Sequence, residues 1–348
     1  MIFYKKLSMI ATSLFIFVLQ VYSQQPNQTI TLEKLQTLSC GKQPKQVLFS
    51  PDGKYIVLPL LDDNGFQIIE ISPDAAKAPQ LISPPNASKK GFAEGLFVPE
   101  ENAFFVSQMT TGNIYQYEYP GFKYKRTIYT EGTWSKFIAW SKEKNLIAVS
   151  NWVSNDVSLI DYESGKVLRK IKTAAAPRGL SFLNNGNEIL VLCFDGGKIQ
   201  KFSTSNAEKL SECKIKSSAM RHVVVNKNET TAYISDMYHH CIYELNLLTF
   251  KITGTWKVFS NPNTIALLDD RFLFVSSRGP NNKTDYTKRS PVNGKVSVID
   301  VTSGKIICQI EGGNQPTGLS LSPNDTMLCF SNFQDENVEL YKINCLQP

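Results

Sequence analysis

The chain has 348 residues, 42% of them hydrophobic, enough for two average domains or one large all-β domain. Its formal charge is +6, and loss of a leader ending at Ser23 would remove Lys5 and Lys6 and no acid, lowering it to +4. That excess falls well short of a nucleic-acid-binding composition, so no nucleic-acid partner is expected.

The first element in chain order is a targeting segment. Lys5 and Lys6 precede the apolar stretch Leu7 to Val21, and Val21-Tyr22-Ser23 forms an acceptable cleavage site. The pattern reads as a signal peptide over residues 1–23 and not as an anchor, because about 20 apolar residues are needed to span a bilayer. No other stretch could span, so no transmembrane segment is expected after cleavage. The expectation is an exported protein in the periplasm, at the cell surface or outside the cell. Residues 24–348 then form one domain.

A strand-rich unit returns about every 40 residues after that. Its best-preserved copy is Asn145 to Thr173, NLIAVSNWVSNDVSLIDYESGKVLRKIKT. The apolar run Leu146 to Val149 and the alternating Val157 to Asp161 mark strands, and Glu163-Ser164-Gly165-Lys166 marks a turn. Copies start near Gln43, Phe92, Trp134, Ala176, Ala219, Asn261 and Gln315. Each holds four short strands, A to D, but the seventh stops after strand C. Thr29 to Leu38 precedes the first copy and has no partner there. Closing a ring with that strand removes the open edge. The predicted fold is therefore all-β: a seven-bladed β-propeller of four-stranded antiparallel blades, its last blade completed from the N-terminus.

These motifs resemble a known repeat. IAVSNWVSNDVSLIDYESGKVLRKI, Ile147 to Ile171, is similar to the unit of the YVTN family of β-propellers. Ala148-Val149-Ser150-Asn151 stands at that family's tetrad, and Ser297-Val298-Ile299-Asp300 with Ser303-Gly304-Lys305 repeats its second half. The second, fifth and sixth copies are degenerate. The resemblance spans essentially all of the chain after the leader. It implies seven blades and an exported bacterial protein, and it implies no activity, because most members have none assigned.

In a propeller, strand A lines the central channel and starts at the top face. Alignment of the copies puts Lys45, Glu94, Lys136, Arg178, Arg221, Asn263 and Thr317 at the channel mouth. Cations crowded into a narrow mouth focus a positive potential, and Arg178 and Arg221 suit a carboxylate or phosphate. The internal alternative pairs Glu94 with Lys45 and Lys136. The B–C loops supply a top-face rim: Asn151, Trp152, Asp236, Met237, Ser277, Arg278, Asn332 and Phe333. Asn151, Asp236 and Asn332 also suit turn capping, whereas Trp152 needs cover from protein or ligand. In the sixth copy this loop grows to Arg278–Gly294 and carries Tyr286, Lys283, Lys288 and Arg289. Loops of that length are often functional.

No catalytic residue, metal or cofactor is assigned. The motifs of nucleophilic hydrolases, zinc peptidases, phosphate loops and haem attachment are missing. His239-His240 lacks an assignable third ligand, and His222 reads as structural. The seven cysteines mostly lie in apolar strand patterns and read as buried thiols. Cys40 and Cys345 flank neighbouring strands, but at opposite ends. A strand of about seven residues would hold them on the order of 20 Å apart, beyond the reach of a bridge. The leading expectation is a monomeric binding module whose basic mouth meets an anionic small molecule, a glycan or a protein. A lactonase-type hydrolase using the same channel and a structural envelope component are the alternatives.

Overall fold

The computed structural model describes residues 29–71, 78–85, 89–285 and 288–346. The expected signal peptide and Tyr286 lie outside them. Seven four-stranded antiparallel sheets form the blades. Strand A begins at Phe92, Ser135, Pro177, Met220, Pro262 and Pro316 in blades 2 to 7. In blade 1 it shrinks to Leu48–Phe49, and Pro44 makes an isolated bridge to Leu60. Among the described residues the one helical element is the single 3-10 turn Pro99–Glu101.

The sequence pattern follows from burial. Strand B lies between neighbouring blades, so both faces are covered and its residues run apolar without alternation. Leu146–Asn151 in blade 3 is buried at every position after the first. Strand D is the outer edge, and Lys209–Lys214 in blade 4 alternates exposed and partly covered residues. Lysines on such edges discourage pairing with another chain.

The core is a circle of interblade clusters. Phe105 and Ile114 of blade 2 pack with Ile138 and Ile147 of blade 3. Ile56 and Leu58 of blade 1 pack with Cys329 and Val338 of blade 7, which closes the circle. Thr29–Ser39 runs antiparallel to Asn337–Leu346 as the outer strand of blade 7, as predicted. Ile30 faces Cys345, whereas Cys40 follows Ser39, which faces Asn337. Cys40 and Cys345 thus stand at opposite ends of the strand pair, and all seven cysteines are free thiols.

Two backbone devices repeat around the ring. The first is a register shift in strand A of blades 2 to 7, lying between Phe92 and Gly95, Ser135 and Ile138, Pro177 and Leu180, Met220 and His222, Pro262 and Ile265, and Pro316 and Leu319. Such bulges re-aim a side chain. Each holds one predicted channel residue: Glu94, Lys136, Arg178, Arg221, Asn263 or Thr317.

The second device is a serine on strand B. Ser150 Oγ accepts the Phe137 N–H at 3.1 Å and donates to the Arg178 carbonyl of the next blade at 2.9 Å. Ser107, Ser235, Ser276 and Ser331 donate in the same way to the carbonyls of Lys136, Asn263, Thr317 and Pro44. In blades 1 and 4, Pro59 and Leu192 stand at this place. The tetrad serine thus fastens the backbone of Lys136, Arg178, Asn263 and Thr317, and Pro44 beside Lys45, to the preceding blade.

Candidate functional site

The bulged residues form a ring at the top of the channel, and a second ring sits above it. In every blade the second residue after the tetrad serine position lines one funnel: Leu61, Met109, Trp152, Phe194, Met237, Arg278 and Phe333. Six of these seven are apolar. Each is pinned identically, its N–H donating to a carbonyl of the preceding D–A loop; Trp152 bonds Trp134 at 3.0 Å and Phe194 bonds Ala176 at 2.9 Å. The acceptors Gln43, Trp134, Ala176, Asn261 and Gln315 all have positive φ, between 54° and 62°. Non-glycine residues in this region cost roughly 1–2 kcal/mol each, so the rest of each blade must hold them there. Such strain gathers at ligand clamps.

The funnel encloses about 470 Å³. Arg178 and Arg221 line it and belong to an ionic triad whose third member, Glu94, is not part of the lining. Glu94 Oε1 accepts from Nη2 of Arg178 and, at 3.2 Å, from Nη2 of Arg221. All three side chains are under 5% exposed. The Nη1 groups of both arginines are buried and have no hydrogen-bond partner among the described residues. The same holds for Oδ1 of Asn263. Burial alone would raise the Glu94 carboxyl pKa, but Arg178 and Arg221 outweigh it and hold the group below its usual range. The expected alternative, Glu94 between Lys45 and Lys136, is not what forms: the carboxylate reaches across the channel from blade 2 to blades 4 and 5.

The lysines are held by aromatic rings. Lys136 Nζ lies 3.6 Å from the Trp152 ring centre and 5.3 Å from that of Trp134. Lys45 and the Arg278 guanidinium each lie 5.2 Å from the Phe333 centre. Both lysines keep some surface open to the funnel, yet protein surrounds them. Burial, then repulsion from Arg178 and Arg221, pushes Lys136 down to about 6. Burial, then Arg221, Arg278 and Arg178, pushes Lys45 well below the usual lysine range. The indole and phenyl faces oppose this, because they favour the charged ammonium.

Of the expected rim, Trp152, Met237, Arg278 and Phe333 line the funnel, and Asn151, Asp236, Ser277 and Asn332 do not. Trp152 is covered by Lys136 and by Phe194, whose ring centre is 4.9 Å away. Asn151, Asp236 and Asn332 are buried and spent on their own blades. Asn151 donates to Asp156 and Ser158 and accepts from Ser135. Asp236 takes the Ala219 N–H, His239 and Tyr243. Asn332 takes the Gly313 N–H and donates to Asn337 and Glu339. Leu61, Met109 and Phe194 escaped sequence reasoning. Their signal was positional, one residue beyond the tetrad.

The long loop of blade 6 folds toward blade 7. Arg289 pairs with Asp335 at 2.5 Å, and Ser290 exchanges hydrogen bonds with Asn314. Arg278 donates to Gln315, and Asn281 reaches the funnel. His222 packs edge-on against Phe137, 5.5 Å between ring centres, and burial with Arg221 beside it pushes it down to about 3. It is therefore neutral at ordinary pH. Among the described residues, no three His, Cys, Asp or Glu side chains gather to hold a metal ion. Among them, too, no helix is long and apolar enough to cross a membrane.

No family model matches the chain. The YVTN resemblance therefore rests on the repeat motifs, while the propeller itself is plain in the strand order. Antigen Lp49 of Leptospira interrogans is 35% identical to this chain over 324 residues, covering 90% of the chain and 70% of that protein. With this identity over most of both sequences, the chain belongs to the family of propeller repeat proteins that includes antigen Lp49.

Proposed function

We propose that this protein is an exported binding module whose top-face funnel takes a small organic anion. One observation carries the reading: Arg178 and Arg221 line the cavity, and the Nη1 group of each is a buried donor without a partner among the described residues. A buried donor without a partner costs about 1–3 kcal/mol, and a carboxylate or phosphate oxygen would satisfy it with a charge-assisted bond. The volume lies in the range of small-molecule sites, about 300–1,000 Å³. It favours a small anion over a glycan or a protein surface as the occupant of the funnel. The name of the relative as an antigen supports export.

The test is a thermal-shift panel of sulfate, phosphate, citrate and aromatic carboxylates on the purified protein. A ligand at 100 times its Kd adds about 2.7 kcal/mol, which is about 4 °C for a domain of this size. The control replaces the whole triad, Glu94→Met with Arg178→Met and Arg221→Met, because a buried ionic triad exchanged for apolar side chains of similar volume often leaves stability intact. A wild-type shift that disappears in the triple variant supports the function. An equal shift in both proteins, or none with any anion, sinks it.

A further inference from the structure

We infer that the funnel is built for a small hydrophobic carboxylic acid, bound with its carboxylate on Arg178 and Arg221 and its apolar body inside the upper collar. This rests on the anion reading and narrows it. The two rings differ in chemistry, and the difference is stacked along one axis. Among the lining residues, Arg178 and Arg221 each carry one buried guanidinium nitrogen without a partner, on the same groups that share the Glu94 oxygen. Two donors match the two oxygens of one carboxylate. A phosphate would leave further oxygens to satisfy, and the other cations of the lining, Lys45, Lys136 and Arg278, are already seated against Phe333 and Trp152.

The collar above is the second observation. Leu61, Met109, Trp152, Phe194, Met237 and Phe333 come from six different blades and converge on one cavity. A purely polar anion, such as sulfate or citrate, would gain nothing from them. An apolar body would be removed from water there, at about 25 cal/mol per Å² of buried surface. The two thioethers can adapt to its shape, as methionine does at binding surfaces. Charge at depth and hydrophobic cover at the mouth therefore select an amphiphile that enters head first.

Calorimetric titration with 2-naphthoate, 2-naphthamide, acetate and inorganic sulfate tests this on the unmodified protein. The naphthoate is expected to bind at one site, about 100-fold more tightly than acetate and at least about 10-fold more tightly than the neutral amide. Trp152→Leu, at the collar and outside the ionic triad, should weaken naphthoate about 10-fold and acetate or sulfate by a clearly smaller factor. Acetate or sulfate binding as tightly as naphthoate would overturn the hydrophobic-acid inference while the anion reading stands. Equal binding of naphthoate and naphthamide would remove the carboxylate from the inference. No binding of any of the four would overturn the inference and count against the anion reading with it.

Discussion

Glu94 is the residue whose removal tests the site most directly. Its carboxylate is about 4% exposed and bonds two arginines that are themselves buried. In Glu94→Ala, Arg178 and Arg221 keep their charges and lose their shared partner. Breaking a buried ion pair from one side costs about 3–5 kcal/mol, and the two guanidinium groups then also repel one another at close range. For a domain of this size each kcal/mol is worth roughly 1.5 °C, so the melting temperature should fall by about 6 °C. The truncated side chain leaves room for a small carboxylate. Acetate should therefore return several degrees to the variant beyond what it gives the wild type. Scanning fluorimetry against acetate concentration, at constant ionic strength, reads both quantities. The pH dependence has a definite sign. Because Glu94 titrates below its usual range in the folded protein, its stabilisation is present above the unfolded value of about 4.3 and is lost as pH falls through the lower folded value. The gap between wild type and variant should close only in strong acid. A loss under about 1 kcal/mol, or an acetate response equal in both proteins, would refute the ionic triad as described.

Three further outcomes follow from the geometry. Ser150→Ala should lower the urea midpoint by the equivalent of about 1–3 kcal/mol with an unchanged slope, because the Phe137 N–H and the Arg178 carbonyl both lose their serine partner; an unchanged midpoint would remove the clamp role. Anion affinity should rise as pH drops from 8 toward 6. Lys136 gains its proton near pH 6, where burial and the charges of Arg178 and Arg221, opposed by Glu94 and Asp195, have set it, and Lys136→Met should flatten that profile in calorimetry. Deletion of Thr29–Ser39 strips the outer strand from Asn337–Leu346 and should produce aggregation in size-exclusion chromatography; a monodisperse monomer would show that the ring does not need its closing strand.

Much of the scaffold was legible in the sequence, because the signals that set it are local. Alternation, continuous apolar runs and turn residues act within a few positions, so seven blades and their starts could be counted from Asn145–Thr173 outward. The closing strand was legible as well, since Thr29–Leu38 had strand character and blade 7 lacked a partner for its last strand. Simple alignment also brought Lys45, Glu94, Lys136, Arg178 and Arg221 to one mouth. What each does there required three dimensions. Glu94 bonds residues 84 and 127 positions away, on blades across the channel and not beside it, and a one-dimensional order of blades makes Lys45 and Lys136 look like its natural partners. Asn151, Asp236 and Asn332 sit at rim positions but suit turn capping, and burial commits their polar atoms to their own turns. The apolar collar was hidden for a different reason. It contributes one residue per blade, and a single residue carries no periodicity of its own; only the ring closure that packs blade 7 against blade 1 turns seven isolated positions into one surface above the paired arginines.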